Sequence, residues 1–157
     1  FHRADADHAQ WLRELAALGL PRHAMTVEIT ESLLLDPSAN VADHLMALRA
    51  AGIGVSLDDF GTGYSSLAYL QRYDIDFIKI DKSFVAGLAP QSNDLALCKA
   101  MVVMAHQLGI AVIAEGVETL AQRDLLVDAG CEYAQGYLFA PAMPAGQFET
   151  WFSQPRA

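Results

Sequence analysis

The 157-residue chain has the length of one domain and, with 53% hydrophobic and 18% charged residues, the composition of a globular protein with an extensive core. Its formal net charge of −9 argues against binding long nucleic acids, which needs clustered lysine and arginine. Two cysteines, Cys98 and Cys131, are too few for a disulfide framework or a cysteine-based zinc site, so we expect buried thiols in a reducing compartment.

Five short β-rich runs alternate with helical segments along the chain. The predicted strands cover residues 24–30, 53–59, 76–80, 110–117 and 132–139. The predicted helices cover residues 8–18, 38–51, 65–72, 92–108 and 119–129. Several helices end at a glycine, as at Gly52, Gly109 and Gly130, which is a common signal for a helix C-terminus. Strands that alternate with helices in this way indicate parallel β/α units.

The longest apolar tract, residues 95–114, has the length of a membrane span. Lys99 and His106 interrupt it, and its hydrophobic period changes after Gly109. A buried helix followed by a strand therefore explains the tract better than a membrane segment does. We expect a cytoplasmic domain, while a segment upstream could anchor the full-length protein to a membrane.

A polar residue lies at or near the carboxyl end of each predicted strand. In chain order these residues are Glu28, Asp58 with Asp59, Lys79, Glu115 and Gln135. Each lies about one β/α unit after the previous one. In a (β/α)8 barrel the carboxyl ends of all strands share one face, and that face carries the chemistry. The sequence thus predicts an α/β fold, a TIM-type (β/α)8 barrel, with these residues on one rim.

The predicted rim carries six acids and one lysine. They are Glu28, Glu31, Asp58, Asp59, Glu115 and Glu118, with Lys79. Six acids around one lysine cannot all stay ionised in a partly dry site without further cations. Oxygen ligands without histidine or cysteine suit Mg²⁺, Mn²⁺ or Ca²⁺ rather than zinc or copper. Divalent ions would offset the repulsion between the adjacent Asp58 and Asp59, and two metals about 4 Å apart commonly cleave phosphate esters.

The motifs VEITES, DDFGTGYSSL, FIKIDKSF, AEGVET and QGYLF follow one another along the chain. In their order and spacing the chain resembles the EAL-domain family of cyclic di-GMP phosphodiesterases, over essentially its whole length. The resemblance implies hydrolysis of cyclic di-GMP to linear pGpG in bacterial second-messenger signalling, with two Mg²⁺ or Mn²⁺ ions as cofactors. It also implies a homodimer and regulatory or sensor domains upstream, and polymeric nucleic acid is not expected as a partner.

The resemblance implies a role for each residue of the rim. The implied metal ligands are Glu28, Asp58, Asp59 and Glu115, and the implied catalytic residues are Lys79, Glu115 and Gln135. Asp58 resembles the ligand that bridges the two ions. Lys79 resembles the residue that contacts the attacking water, with Gln135 beside it. From the residue pattern alone, Lys79 could instead be a buried lysine paired with a structural acid, and Gln135 could only satisfy backbone groups.

The loop after Asp59 resembles the family's substrate loop. Its members here are Phe60, Gly61, Thr62 and Gly63. Glu31 and Glu118 resemble acids that anchor the FGTGYSS segment, although both could instead be acids that are favoured at a helix start. Asp58 and Asp59 could likewise be turn residues before a glycine loop.

The family's name-giving Glu-Ala-Leu strand and a later asparagine ligand precede the region that matches here. The chain also begins at Phe1, shortly before a helical pattern. We therefore expect residues 1–157 to be the C-terminal part of an EAL domain, which supplies roughly the last five of eight β/α units.

Three other classes of function compete with the hydrolase. The main alternative is a catalytically inactive EAL-like module that binds cyclic di-GMP as a sensor, although such modules usually lose metal ligands and every position visible here is filled. An enolase-like barrel also uses lysine and acids around Mg²⁺, but the DDFGTG loop does not favour it. A purely structural fragment is the last class, because five strands cannot close an eight-stranded barrel and would leave exposed edges.

Overall fold

The computed structural model describes residues 4–34, 41–63 and 67–154. Within these ranges five strands form one parallel sheet in the sequential order β1-β2-β3-β4-β5. The strands are β1 (Thr26–Thr30), β2 (Gly54–Phe60), β3 (Phe77–Ile80), β4 (Ala111–Ala114) and β5 (Tyr133–Ala134). Sequential parallel strands joined by helices are the repeating β/α units of a TIM-type barrel, so the predicted fold class is confirmed.

Eight α-helices accompany the sheet within the described ranges. They are α1 (Ala4–Ala17), α2 (Glu31–Leu34), α3 (Val41–Ala50), α4 (Leu67–Arg72), α5 (Lys82–Ala86), α6 (Asn93–Gln107), α7 (Leu120–Ala129) and α8 (Ala145–Phe152), with a 3₁₀ turn at Arg22–Ala24. The five predicted helices correspond to α1, α3, α4, α6 and α7. The predicted starts at residues 38 and 65 lie outside the described residues.

The sequence did not predict α2, α5 and α8. Helices α2 and α5 have only four and five residues, which is too short to show a helical period. The start of α5 is instead fixed by Asp81, whose side chain accepts a hydrogen bond from the backbone N–H of Ser83. Helix α8 starts after Pro144, which is its N-cap residue.

Strand alternation separates the apolar core from the polar residues of the rim. On β2 and β3, Leu57, Ile78 and Ile80 are almost fully buried and belong to the core that the helices cover. Asp58, which follows Leu57, and Lys79, which lies between Ile78 and Ile80, point to the other face of the sheet, because the side chains of successive strand residues alternate. Register pairs Glu28 with Ser56 and Thr30 with Asp58, so the acids of β1 and β2 lie at the same end of that face.

Two strands are shorter than the sequence predicts. Strand β4 ends at Ala114 rather than at residue 117, and β5 contains only Tyr133–Ala134. The backbone leaves strand geometry at Gly116 and Gly136, whose φ angles are 66° and 153°. Glu115 and Gln135 therefore follow their strands directly instead of lying inside them.

Large apolar side chains remain exposed around β5 and α8. They include Tyr133, Tyr137, Phe139, Phe148 and Phe152, and β5 pairs only with β4 among the described strands. This open edge agrees with the expectation that five strands do not close a barrel.

The apolar tract at residues 95–114 consists of α6 followed by β4, as predicted. Among the described residues, no helix combines the length and the apolar character that crossing a bilayer requires.

Both cysteines are free thiols. Cys98 is fully buried on α6, and the thiol of Cys131 donates to the backbone oxygen of Tyr133 at 3.2 Å. Burial raises the pKa of Cys98 and of Cys131 to about 11.

We expect iodoacetamide at pH 8 to alkylate both thiols of the native protein about 100-fold more slowly than a free cysteine, because the reactive thiolate is scarce. Mass spectrometry over a time course measures the rates. The same protein in guanidinium chloride is the control, and rapid alkylation of the native protein would contradict this expectation.

Candidate active site

Three acids from different β/α units meet at one lysine on the predicted rim. The Nζ atom of Lys79 lies 2.9 Å from Glu28 Oε2, 3.2 Å from Asp58 Oδ1 and 2.5 Å from Glu115 Oε1. We call these four residues the Lys79 cluster. Strands β1, β2 and β3 carry Glu28, Asp58 and Lys79, and Glu115 directly follows β4. Residues far apart in the sequence thus share one point at the carboxyl ends of the strands.

Lys79 is the most buried member of the cluster. Its side chain is 4% exposed, against 16% for Glu115, 25% for Asp58 and 52% for Glu28. The acids therefore cover the ammonium group and face the solvent side. A buried ammonium group needs partners of opposite charge, and this lysine has three.

The acids determine the charge state of Lys79. Burial alone would lower the pKa of Lys79, but hydrogen bonds to Glu115, Glu28 and Asp58 outweigh burial and raise it well above its ordinary value. The lysine is therefore protonated around neutral pH. It donates hydrogen bonds to the three acids and supplies a positive charge between them.

A turn of the backbone at Asp59 directs the side chains of Asp58 and Asp59 to different places. Asp59 has a φ of 56°, in the left-handed region that aspartate tolerates better than most residues. Its backbone N–H donates to Asp58 Oδ1 at 3.1 Å, and its carbonyl accepts from the Thr62 hydroxyl at 2.8 Å. The side chain of Asp59 is exposed, while that of Asp58 points to Lys79. The repulsion is thus relieved by a turn and by the lysine.

Gln135 lies next to the cluster and orients one of its acids. The side-chain amide of Gln135 donates to Glu115 Oε1 at 2.7 Å. The segments that follow β4 and β5 are also joined by their backbones, since Val117 N–H donates to the carbonyl of Gln135 and Leu138 N–H donates to that of Val117, both at 3.0 Å. This double connection holds the Gln135 amide against Glu115.

Glu31 is buried beside the predicted substrate loop. It begins α2, is 6% exposed, and neither of its carboxylate oxygens has a hydrogen-bond partner among the residues that the structure describes. A Cβ atom at Gly63 would lie 3.2 Å from Glu31 Oε1, so the acid is in contact with this loop. Residues 64–66 of the FGTGYSS segment lie outside the described residues. Whether Glu31 anchors the loop stays a prediction.

Glu118 lies at the start of α7, where Thr119 is the N-cap residue. Its backbone N–H donates to Gln122 Oε1 at 2.9 Å, and its side chain is exposed. None of the described contacts joins its carboxylate to the Lys79 cluster. Its predicted anchoring role therefore stays a prediction as well.

The predicted substrate loop contacts two residues that the sequence does not assign to the site. Gly61 has a φ of 94°, and a Cβ atom there would lie 3.1 Å from Phe84 Cε2 and 3.1 Å from Met101 Cε. Phe84 belongs to α5 and Met101 to α6. Phe60, predicted in the loop, is instead the buried last residue of β2 and pairs with Ile80. The FIKIDKSF motif contains Phe84 and was the only sequence signal for this contact.

The donor groups of the cluster fit a hard divalent cation. Carboxylate oxygens are the preferred ligands of Mg²⁺ and Mn²⁺, and Asp59 directly follows one acid of the cluster, Asp58, in the chain. Among the residues that the structure describes, no group of three or more histidine, cysteine, aspartate or glutamate side chains is by itself arranged to hold a metal ion. The three acids converge on the Lys79 ammonium group instead.

Comparisons with known proteins agree on the family. A family model described as EAL domain matches residues 2–142. The cyclic di-GMP phosphodiesterase RocR of Pseudomonas aeruginosa is 41% identical over 134 residues, which are 85% of this chain and 34% of RocR. The signaling protein YkoW of Bacillus subtilis is 43% identical over 83% of this chain and 16% of its own length. The chain thus spans between about a sixth and a third of these curated relatives.

A solved structure with manganese and cyclic di-GMP has the same fold. It is BlrP1 of Klebsiella pneumoniae, with a TM-score of 0.81 and 34% identity over 89% of this chain and 36% of BlrP1.

Proposed function

The chain belongs to the EAL domain family, and from this membership we propose that it is the C-terminal part of a domain that hydrolyses cyclic di-GMP to linear pGpG. The observation that carries the proposal is the convergence of Glu28, Asp58 and Glu115 on Lys79. RocR, a cyclic di-GMP phosphodiesterase by name, supports the substrate class. The proposal includes a homodimer and upstream regulatory domains, as the family resemblance implies, and the cytoplasmic location that the sequence leads us to expect.

The proposed cofactors are two Mg²⁺ or Mn²⁺ ions. Glu28, Asp58, Asp59 and Glu115 would hold them through carboxylate oxygens. When bound, such ions lower the pKa of a water molecule and neutralise the charge of a phosphate group. The BlrP1 complex with manganese and cyclic di-GMP supports this class of ion.

The residues of the chain contribute charge and orientation. Lys79 donates hydrogen bonds to the three acids, and its positive charge would stabilise the negative charge that develops on a nearby attacking water. The proton of the attacking water would leave to a carboxylate of the site or to solvent. Gln135 holds Glu115 in one orientation through the 2.7 Å hydrogen bond to Oε1.

Removal of the metal tests the proposal. We expect the full-length protein to convert cyclic di-GMP to pGpG in the presence of Mn²⁺, and an excess of EDTA to lower the rate at least about 100-fold. Chromatographic separation of the two nucleotides measures the rate, and added Mn²⁺ should restore it. If calorimetry detects binding of cyclic di-GMP while chromatography detects no pGpG, the hydrolase hypothesis is wrong and the sensor alternative is favoured.

A further inference from the structure

One ammonium group is placed where three carboxylates converge. Lys79 Nζ is within 3.2 Å of an oxygen of Glu28, of Asp58 and of Glu115, and the lysine side chain is 4% exposed. Three of the four proposed metal ligands therefore already share one cation that belongs to the protein itself.

We propose that Lys79 is an internal counter-cation, which holds the three acids together before a divalent ion binds and opposes the binding of that ion. The inference rests on the proposed function, since it assumes that these acids are metal ligands. It adds a property that hydrolysis alone does not require: the affinity of the site for divalent cations is set partly by the lysine.

Two opposite effects follow from this arrangement. Without the ammonium group, three neighbouring carboxylates would repel one another, so the metal-free protein should be less stable. A divalent ion that binds the same acids comes close to a buried positive charge, and like charges at such distances repel strongly where water is scarce. Removing the lysine charge should therefore lower the stability of the metal-free protein and raise the affinity of the site for a divalent ion.

The experiment compares Lys79→Met with the wild type in the full-length protein. Calorimetric titration with Mn²⁺ should give a Kd at least about tenfold lower for the variant. In EDTA the variant should have a lower Tm than the wild type, and saturating Mn²⁺ should raise its Tm by more, because ligand stabilisation grows as Kd falls.

Two matched variants separate the charge from other effects. Lys79→Arg keeps the positive charge and should bind Mn²⁺ within about threefold of the wild type. Lys99→Met removes the same charge from an exposed position on α6 and should leave the Kd unchanged. If Lys79→Met does not fold in EDTA, it can be purified with Mn²⁺ and the metal chased with a chelator. Release slower than from the wild type then supports the proposal.

An unchanged or higher Kd for Lys79→Met, or equally fast release in the chase, would overturn it. These readouts do not depend on turnover. A protein that binds Mn²⁺ but forms no pGpG would contradict the proposed function and leave the role of Lys79 to be judged by the Kd values. Hydrolysis together with an unchanged Kd would contradict only the role of Lys79.

Discussion

Replacing Asp58 by Asn should lower kcat/KM for cyclic di-GMP in the full-length protein by at least about 1000-fold. Asp58 contacts both Lys79 and Asp59. Its Oδ1 atom lies 3.2 Å from Lys79 Nζ and accepts a hydrogen bond from the backbone N–H of Asp59 at 3.1 Å. Asparagine keeps the shape and one acceptor oxygen but removes the negative charge. The resemblance to the family implies that this acid would help to hold both proposed ions, so its loss should affect both together. Steady-state kinetics with Mn²⁺ measures the effect.

Asp124→Asn is the matched control for this substitution. Asp124 lies on α7 with a 62% exposed side chain that is paired with Arg123, and it is not part of the Lys79 cluster. Its replacement should change kcat/KM by less than about twofold, because exposed ion pairs contribute little. Near-normal hydrolysis by Asp58→Asn, in a protein that unfolds at the wild-type temperature, would show that the reaction does not use this rim.

The order of the strands and the residues at their ends could be predicted from the sequence. Short apolar runs that alternate with glycine-terminated helices are a strong local signal, and the carboxyl ends of parallel strands necessarily meet. The sequence therefore predicts that Glu28, Asp58, Lys79 and Glu115 lie on one rim. The same pattern extends the predicted strands over residues 115–117 and 135–139, where the structure has none. The pattern of apolar residues does not reveal that the backbone turns at Gly116 and Gly136.

The partners of these residues depend on the fold and could not be predicted. The pattern shows an excess of acids but not which of them Lys79 contacts, and it suggests a turn near Asp59 without specifying that the φ of Asp59 is positive. The burial of Glu31 against Gly63 requires α2, a helix of four residues that has no period of its own. Roles of individual residues in catalysis remain predictions that the variants above test.

Gly136→Ala should lower the free energy of unfolding by about 2–4 kcal/mol. A Cβ atom at this position would lie 2.3 Å from the carbonyl oxygen of Val117 and 2.4 Å from its nitrogen. These are backbone atoms, so no side-chain rotation can relieve the overlap. The φ of 153° is also one that residues with a side chain rarely adopt. Denaturant unfolding followed by circular dichroism measures the loss.

The same substitution should disturb the site as well as the fold. Movement of the backbone away from Val117 would carry Gln135 with it and lengthen its 2.7 Å hydrogen bond to Glu115, so hydrolysis should fall even where the variant remains folded. Gly146→Ala is the control. It makes the same change on helix α8, where a Cβ atom meets nothing within 4 Å, and should stabilise the protein by up to about 1 kcal/mol. Equal stability of the two variants would mean that the close approach of Gly136 to Val117 does not exist in solution.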